Sequence, residues 1–156
     1  MASATVENYV KTVYDLSQTH SDKTATTGRL ADAMGVSPGT VTSMLKTLSE
    51  LGLATYMPYE GARLTEEGYR LARRVYRRRA LLKCFLCKSL DLDVDQVAGD
   101  AERMEHGVSD AVVARIGEYL GHPEFDPDGN PIPEPEVAEY QSEDTAWNQC
   151  VPAKSV

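Results

Sequence analysis

Three residues near position 100 have the types and spacing of a cation site. In "GDAERMEHGVSD", residues 99–110, Glu102, Glu105 and His106 stand at i, i+3 and i+4. Residues so spaced are neighbours on a helix surface, so two carboxylates and an imidazole converge. That donor set suits a hard to borderline divalent ion. It also makes an ordinary solvated helix face, and the spacing alone leaves both readings open. A second candidate, the C-x-x-C of Cys84 and Cys87, has no further Cys or His partners at zinc-site spacing. Packing on a helix is the expected role of this pair.

The elements that must position these groups are mostly helical. "TVENYVKTVYDLSQT" carries Val6, Tyr9, Val10, Val13 and Tyr14 at helical spacing. "TTGRLADAMG" reads as a short helix capped by Thr26 or Thr27 and stopped at Gly35. In "VSPGTVTSMLKTLSELGL", Ser37 is an N-cap, Pro38 takes the first helical position and Gly52 closes the helix. Val41, Leu45 and Leu48 face inward. These two short helices joined through "MGVS" form a helix-turn-helix pattern, and "LATYMPYEGARLT" adds a hairpin about a Tyr-Glu-Gly turn. A long helix capped by Thr65 runs to about Leu90. Two more helices follow, the second capped by Ser109, and then a Pro- and Gly-rich segment that excludes regular structure. The fold expected is mainly α: a winged helix-turn-helix domain over 1–72, a helical domain over 73–136 and a polar tail over 137–156.

Net charge is −8 over 156 residues, which argues against a nucleic-acid binder until it is divided. Residues 1–88 carry 13 Lys and Arg against 8 Asp and Glu; residues 89–156 carry 3 against 16. A basic half followed by an acidic half implies separate tasks. No apolar run approaches bilayer length and the N-terminus lacks a signal-peptide pattern, so a cytoplasmic protein with no membrane partner is expected.

Small residues at the start of the second short helix, Ser37, Pro38, Gly39, Thr40 and Ser43, allow close entry into a DNA major groove. Thr27, Arg29, Thr42, Lys46 and the wing residue Arg63 are the expected phosphate contacts. No Arg, Asn or Gln stands early in that helix, so base discrimination is expected to be modest and helped by DNA shape.

The order and wording of "ENYVKTVYDL", "RLADAMGVSPGTVTSMLKTLSELGL", "YEGARLTEEGYRLA", "ERMEHGVSD" and "GNPIP" resemble the diphtheria-toxin-repressor family of iron- and manganese-dependent transcriptional regulators, from about Val6 to Pro133. The closer likeness is to its short, two-domain branch, which includes the manganese transport regulators. The resemblance implies a helical dimerisation domain and a homodimer on a palindromic operator in double-stranded DNA, most simply as a repressor. It also implies a primary metal site at Asn8, Glu102, Glu105 and His106. That set has oxygen and imidazole donors and no sulfur, which favours Mn2+ or Fe2+.

Two departures bear on this. Asn8 stands where relatives place Met or Asp. The positions of the family's ancillary site are Arg79, Lys83 and Ala98, and neither a guanidinium nor an ammonium has a lone pair for metal. The ancillary site is therefore expected to be lost, leaving one ion per subunit at a weakened primary site. In the alternative, Arg79 and Lys83 pair with Glu102 and Glu105, and the DNA-binding dimer no longer depends on metal. A metal-dependent enzyme using Glu105 as base is a remote third reading, because no nucleophile or phosphate-binding loop is present. The chain is read as a regulator, not an enzyme.

Overall fold

A computed structural model describes residues 2–19, 21 and 23–135; the expected tail, with Trp147 and Cys150, lies outside them. Helix α1 (Ala4–Gln18) is followed by α2 (Thr27–Met34) and α3 (Pro38–Glu50). Strands β1 (Ala54–Met57) and β2 (Gly61–Leu64) pair antiparallel, Ala54 opposite Leu64 and Met57 opposite Gly61. Then come α4 (Glu66–Leu90), α5 (Val94–Glu105) and α6 (Asp110–Tyr119).

Side-chain caps set most of the helix starts. Thr26, Ser37, Thr65 and Ser109 each accept a backbone N–H three residues on, satisfying donors a helix leaves open. Ser3 does the same for α1, a cap the sequence reading passed over. Gly35 takes φ +65 to end α2. Thr65 also donates its hydroxyl to the carbonyl of Gly52, 2.6 Å away, so the cap of α4 ties back to the end of α3.

The first core joins α1, α2, α3, the wing and the start of α4. Val10, Val13, Leu30, Val41, Leu45, Leu48 and Val75 are fully buried in it. The segment before α2 pairs with the wing through Ala25 and Ala62, their N–H and C=O groups exchanged at 2.9 Å. Leu82, Leu86, Val97 and Ala101 make a second, smaller core with Phe85, Cys87, Val108 and Ile116 against it. Helix α4 serves both cores and runs unbroken past residue 72.

Cys84 is buried and Cys87 half-buried on α4, as packing requires; burial pushes the Cys84 thiol up from its ordinary pKa. The described residues of the Pro- and Gly-rich segment form no helix or strand, but they make a tied turn. Asp126 Oδ1 accepts from the backbone N–H groups of Asp128 and Asn130, each at 2.9 Å. Arg77 holds the carbonyl of Pro133 at 2.9 Å. Among the described residues, no helix is long and apolar enough to cross a membrane.

Candidate functional site

One surface and one buried junction carry the residues singled out above, and a second surface stands apart from them. The first surface is the outer face of α3. With Val41, Leu45 and Leu48 turned inward, the helical period leaves Gly39, Thr40, Ser43 and Lys46 exposed together. Ser37 and Pro38 are exposed at its start, where the Ser37 hydroxyl lies 2.9 Å from that of Thr40. Thr42 is turned partly away and bonds the carbonyl of Pro38 at 3.0 Å. Thr27, the first residue of α2, is half-buried. Arg29 reaches Thr19 Oγ1 at 3.3 Å, and Arg63 donates from Nε to Thr24 Oγ1 at 2.7 Å. Both arginines are thus anchored within the winged unit.

The junction is where α1, α4, α5 and α6 meet. Helix α1 contributes Glu7, Asn8 and Lys11; α4 contributes Arg78 and Arg79. The end of α5 brings Glu102 and Glu105, with His106 as its C-cap, and α6 opens on Asp110. Glu105 is 0% exposed and both its oxygens are held. Arg79 grips it with Nε on Oε2 at 2.6 Å and Nη2 on Oε1 at 2.9 Å, and Lys11 Nζ lies 3.1 Å from Oε1. Arg79 also reaches Glu102, whose side chain is 60% exposed at the rim, at 3.0 Å. Burial alone pulls the Arg79 guanidinium down, but the bond and charge of Glu105, then Glu102, raise it above its ordinary value.

Arg78 forms the other half of the junction. It lies 3.3 Å from both oxygens of Glu7, 2.7 Å from the carbonyl of Glu105 and 3.2 Å from Asp110 Oδ1. Both Glu7 and Arg78 are 2% exposed. His106 sits between α1 residues, Nδ1 at 2.7 Å from Glu7 Oε2 and Nε2 at 3.0 Å from Asn8 Oδ1.

Asn8, Glu105 and His106 are thus brought together, with Glu102 at their edge. The pairing expected for the two α4 cations divides. Arg79 does engage Glu102 and Glu105, but Lys83 does not. Lys83 lies one turn further along α4, beneath the 124–132 turn, and pairs with Asp126 at 3.3 Å and with Asp128. Ala98 is exposed on α5. Glu7, Lys11, Arg78, Asp110, Asp126 and Asp128 were missed by the sequence reading. For Glu7 and Lys11 a signal was present: they stand at i and i+4, with Val10 and Tyr14, on the apolar face of α1. Charged residues in such a stripe are buried only with partners.

The donors do not fit a divalent ion in this arrangement. Among the described residues, no group of three or more His, Cys, Asp and Glu side chains is placed to hold one. An ion on Glu105 would stand beside Lys11 and Arg79. Two unit charges 4 Å apart repel by about 4 kcal/mol at an effective dielectric constant of about 20, and a divalent ion doubles this. Both cations would have to leave first.

The second surface is apolar. Phe85, Ala111, Val112, Ile116 and Tyr119, with Arg115, line an open groove of about 380 Å³ along α4 and α6. Val112 is 49% and Tyr119 62% exposed.

Comparison with known proteins places these features. Residues 1–62 match the iron dependent repressor N-terminal DNA binding domain, and residues 65–134 match the metal binding and dimerisation domain of the same repressors. A helix-turn-helix regulator of Methanocaldococcus jannaschii is 32% identical over 76% of this chain and 94% of its own length. The regulator MntR of Listeria monocytogenes is 31% identical over 82% of this chain and 88% of its own. Among solved structures, a manganese-dependent transcriptional repressor in complex with manganese superposes with a TM-score of 0.71 at 38% identity. The match covers 83% of this chain and 58% of that one. ScaR with bound Zn2+ gives 0.73 at 34% identity, over 83% and 59%. The chain therefore spans a little over half the length of these solved relatives. Matched over both domains and by relatives covered for most of their length, the chain belongs to the iron-dependent repressor family of transcriptional regulators.

Proposed function

We propose that this chain is a DNA-binding transcriptional repressor working in the cytoplasm as a homodimer on a palindromic operator. The observation that carries this reading is the exposed face of α3, where Gly39, Thr40, Ser43 and Lys46 lie together at the front of a winged unit. Small side chains let the helix backbone approach base edges, and Lys46 supplies a phosphate contact. Lys46→Ala is expected to weaken binding to all duplexes alike and to lower the salt slope by about 1. Substitution of Thr40 or Ser43 should instead change the preference among sequences, since each base mismatch is worth about 1–3 kcal/mol. Binding measured over a salt series on random and selected duplexes checks both. A specificity change from Lys46→Ala with an unchanged salt slope would overturn the assignment.

The groove along α4 and α6 supports the dimer, because apolar side chains such as Val112 and Tyr119 are characteristic of the buried centre of an interface. Two-fold pairing there presents two recognition helices to the two halves of a palindrome. Val112→Glu is expected to convert the protein to a monomer at micromolar concentration in sedimentation velocity. A wild type that sediments as a monomer would remove this part of the reading.

Several relatives are described as manganese- or iron-dependent. They support the first reading, a metal-responsive regulator with one Mn2+ or Fe2+ ion per subunit on Asn8, Glu102, Glu105 and His106, which here would need Lys11 and Arg79 to give up their contact with Glu105. That contact favours the second reading, a regulator of the same fold that does not depend on metal.

A further inference from the structure

We propose that Lys11 and Arg79 stand in for an activating metal ion: the two side-chain cations clamp α1 and α4 to the end of α5 and keep the DNA-binding and dimerisation parts in one arrangement without any ion. The inference rests on the reading of the chain as a DNA-binding regulator, and it concerns what holds that regulator in its binding form.

The elements explain why a clamp is needed. Helix α1 belongs to the first core through Val6, Val10 and Val13, while α5 belongs to the second through Val97 and Ala101. The two helices do not pack closely against each other along their backbones. Their connection runs through side chains, and Glu105 is its centre, taking Lys11 from α1 and Arg79 from α4. Arg78 repeats the connection, tying Glu7 of α1 to the carbonyl of Glu105 and to Asp110 at the start of α6.

Charge balance points the same way. A switch that waits for a divalent ion leaves its buried carboxylates short of positive charge until the ion arrives. Here the buried carboxylates Glu7 and Glu105 face Lys11, Arg78 and Arg79, with Glu102 and Asp110 at the rim. Four carboxylates and three fixed cations leave little charge for an ion to neutralise. The Arg79 fork matches the carboxylate with two parallel bonds, the strongest geometry such a pair has. A guanidinium stays charged at every working pH, so the clamp is permanent.

The test uses the full-length protein and duplexes it selects from a random-sequence pool, once in EDTA and once in Mn2+. The wild type should select the same sequences in both and bind them with dissociation constants within about twofold. Calorimetric titration with Mn2+ should show no saturable binding, and the melting temperature should be the same in EDTA and Mn2+. The Lys11→Met/Arg79→Met double variant should lose about tenfold or more of its operator affinity in EDTA, with Mn2+ restoring it. Arg79→Lys, which keeps the charge, should retain most of the EDTA affinity. A purely structural ion pair would not produce metal dependence in the double variant alone. A wild type whose operator affinity rises about tenfold or more with Mn2+, or which binds one Mn2+ per subunit and melts higher for it, overturns the proposal. Should the double variant fail to fold, the wild-type measurements and Arg79→Lys still decide. Failure to select any duplex in either condition would count against the DNA-binding reading, while calorimetry and melting would still judge the clamp.

Discussion

Arg78→Met is expected to lower the unfolding free energy by about 3–5 kcal/mol, the range found when one partner of a buried ion pair is removed. The change strands Glu7, which is 2% exposed, and deprives the Glu105 carbonyl of its donor at 2.7 Å. Domains of ordinary size hold only about 5–15 kcal/mol in total, so the loss is a large share. In urea denaturation the midpoint should fall with little change in slope. Glu7→Gln combined with Arg78→Met should cost less than the two changes added together, because the second removes a charge the first has already left alone. Arg70→Ala is the control: its pairs with Glu66 and Glu67 lie on exposed side chains, where such contacts contribute about 0–1 kcal/mol. Equal effects for Arg78→Met and Arg70→Ala would mean the junction adds nothing to stability.

Gly68→Ala should be comparably damaging for a different reason. A Cβ there would lie 2.0 Å from the carbonyl oxygen of Leu53 and 3.1 Å from Leu64 Cδ2. The oxygen belongs to backbone that also accepts from the N–H of Thr65, at 3.0 Å, so it cannot turn aside without breaking the start of α4. Overpacking of a rigid site typically costs about 1–3 kcal/mol, occasionally more, and the upper end applies here. Since α4 serves both cores, thermal melting should show one transition at lower temperature. Gly99→Ala on α5 should do the opposite. Its nearest contact is the flexible end of Arg103 at 3.7 Å, and replacing a mid-helix glycine by alanine adds about 0.5–1 kcal/mol. A neutral Gly68→Ala would show that the α3–α4 corner is looser than its geometry.

Local chemistry made much of this fold legible in advance. Ser37 and Pro38 start α3 whatever surrounds it, because the cap bond and the fixed proline φ are made within three residues. Inward Val41, Leu45 and Leu48, the outer face of Thr40, Ser43 and Lys46, and the hairpin about Tyr59 follow from periodicity and turn residues in the same way. The gathering of Glu102, Glu105 and His106 at the end of α5 was legible too, since helical i, i+3, i+4 spacing is a local property. Their partners were not. Lys11 meets Glu105 across 94 residues and Arg78 meets Glu7 across 71, and no local rule selects among many charged residues at such distance. Adjacent Arg78 and Arg79 point to different carboxylates because the helix turns about 100° per residue. Lys83, one turn beyond Arg79, falls under the 124–132 turn and takes Asp126 and Asp128 instead. Sequence alone determined the helices, four of their side-chain caps and the faces they present. Tertiary structure alone decided which charges are buried and with whom, because the desolvation that forces a charge to find a partner exists only once α1, α4 and α5 have closed over Glu105.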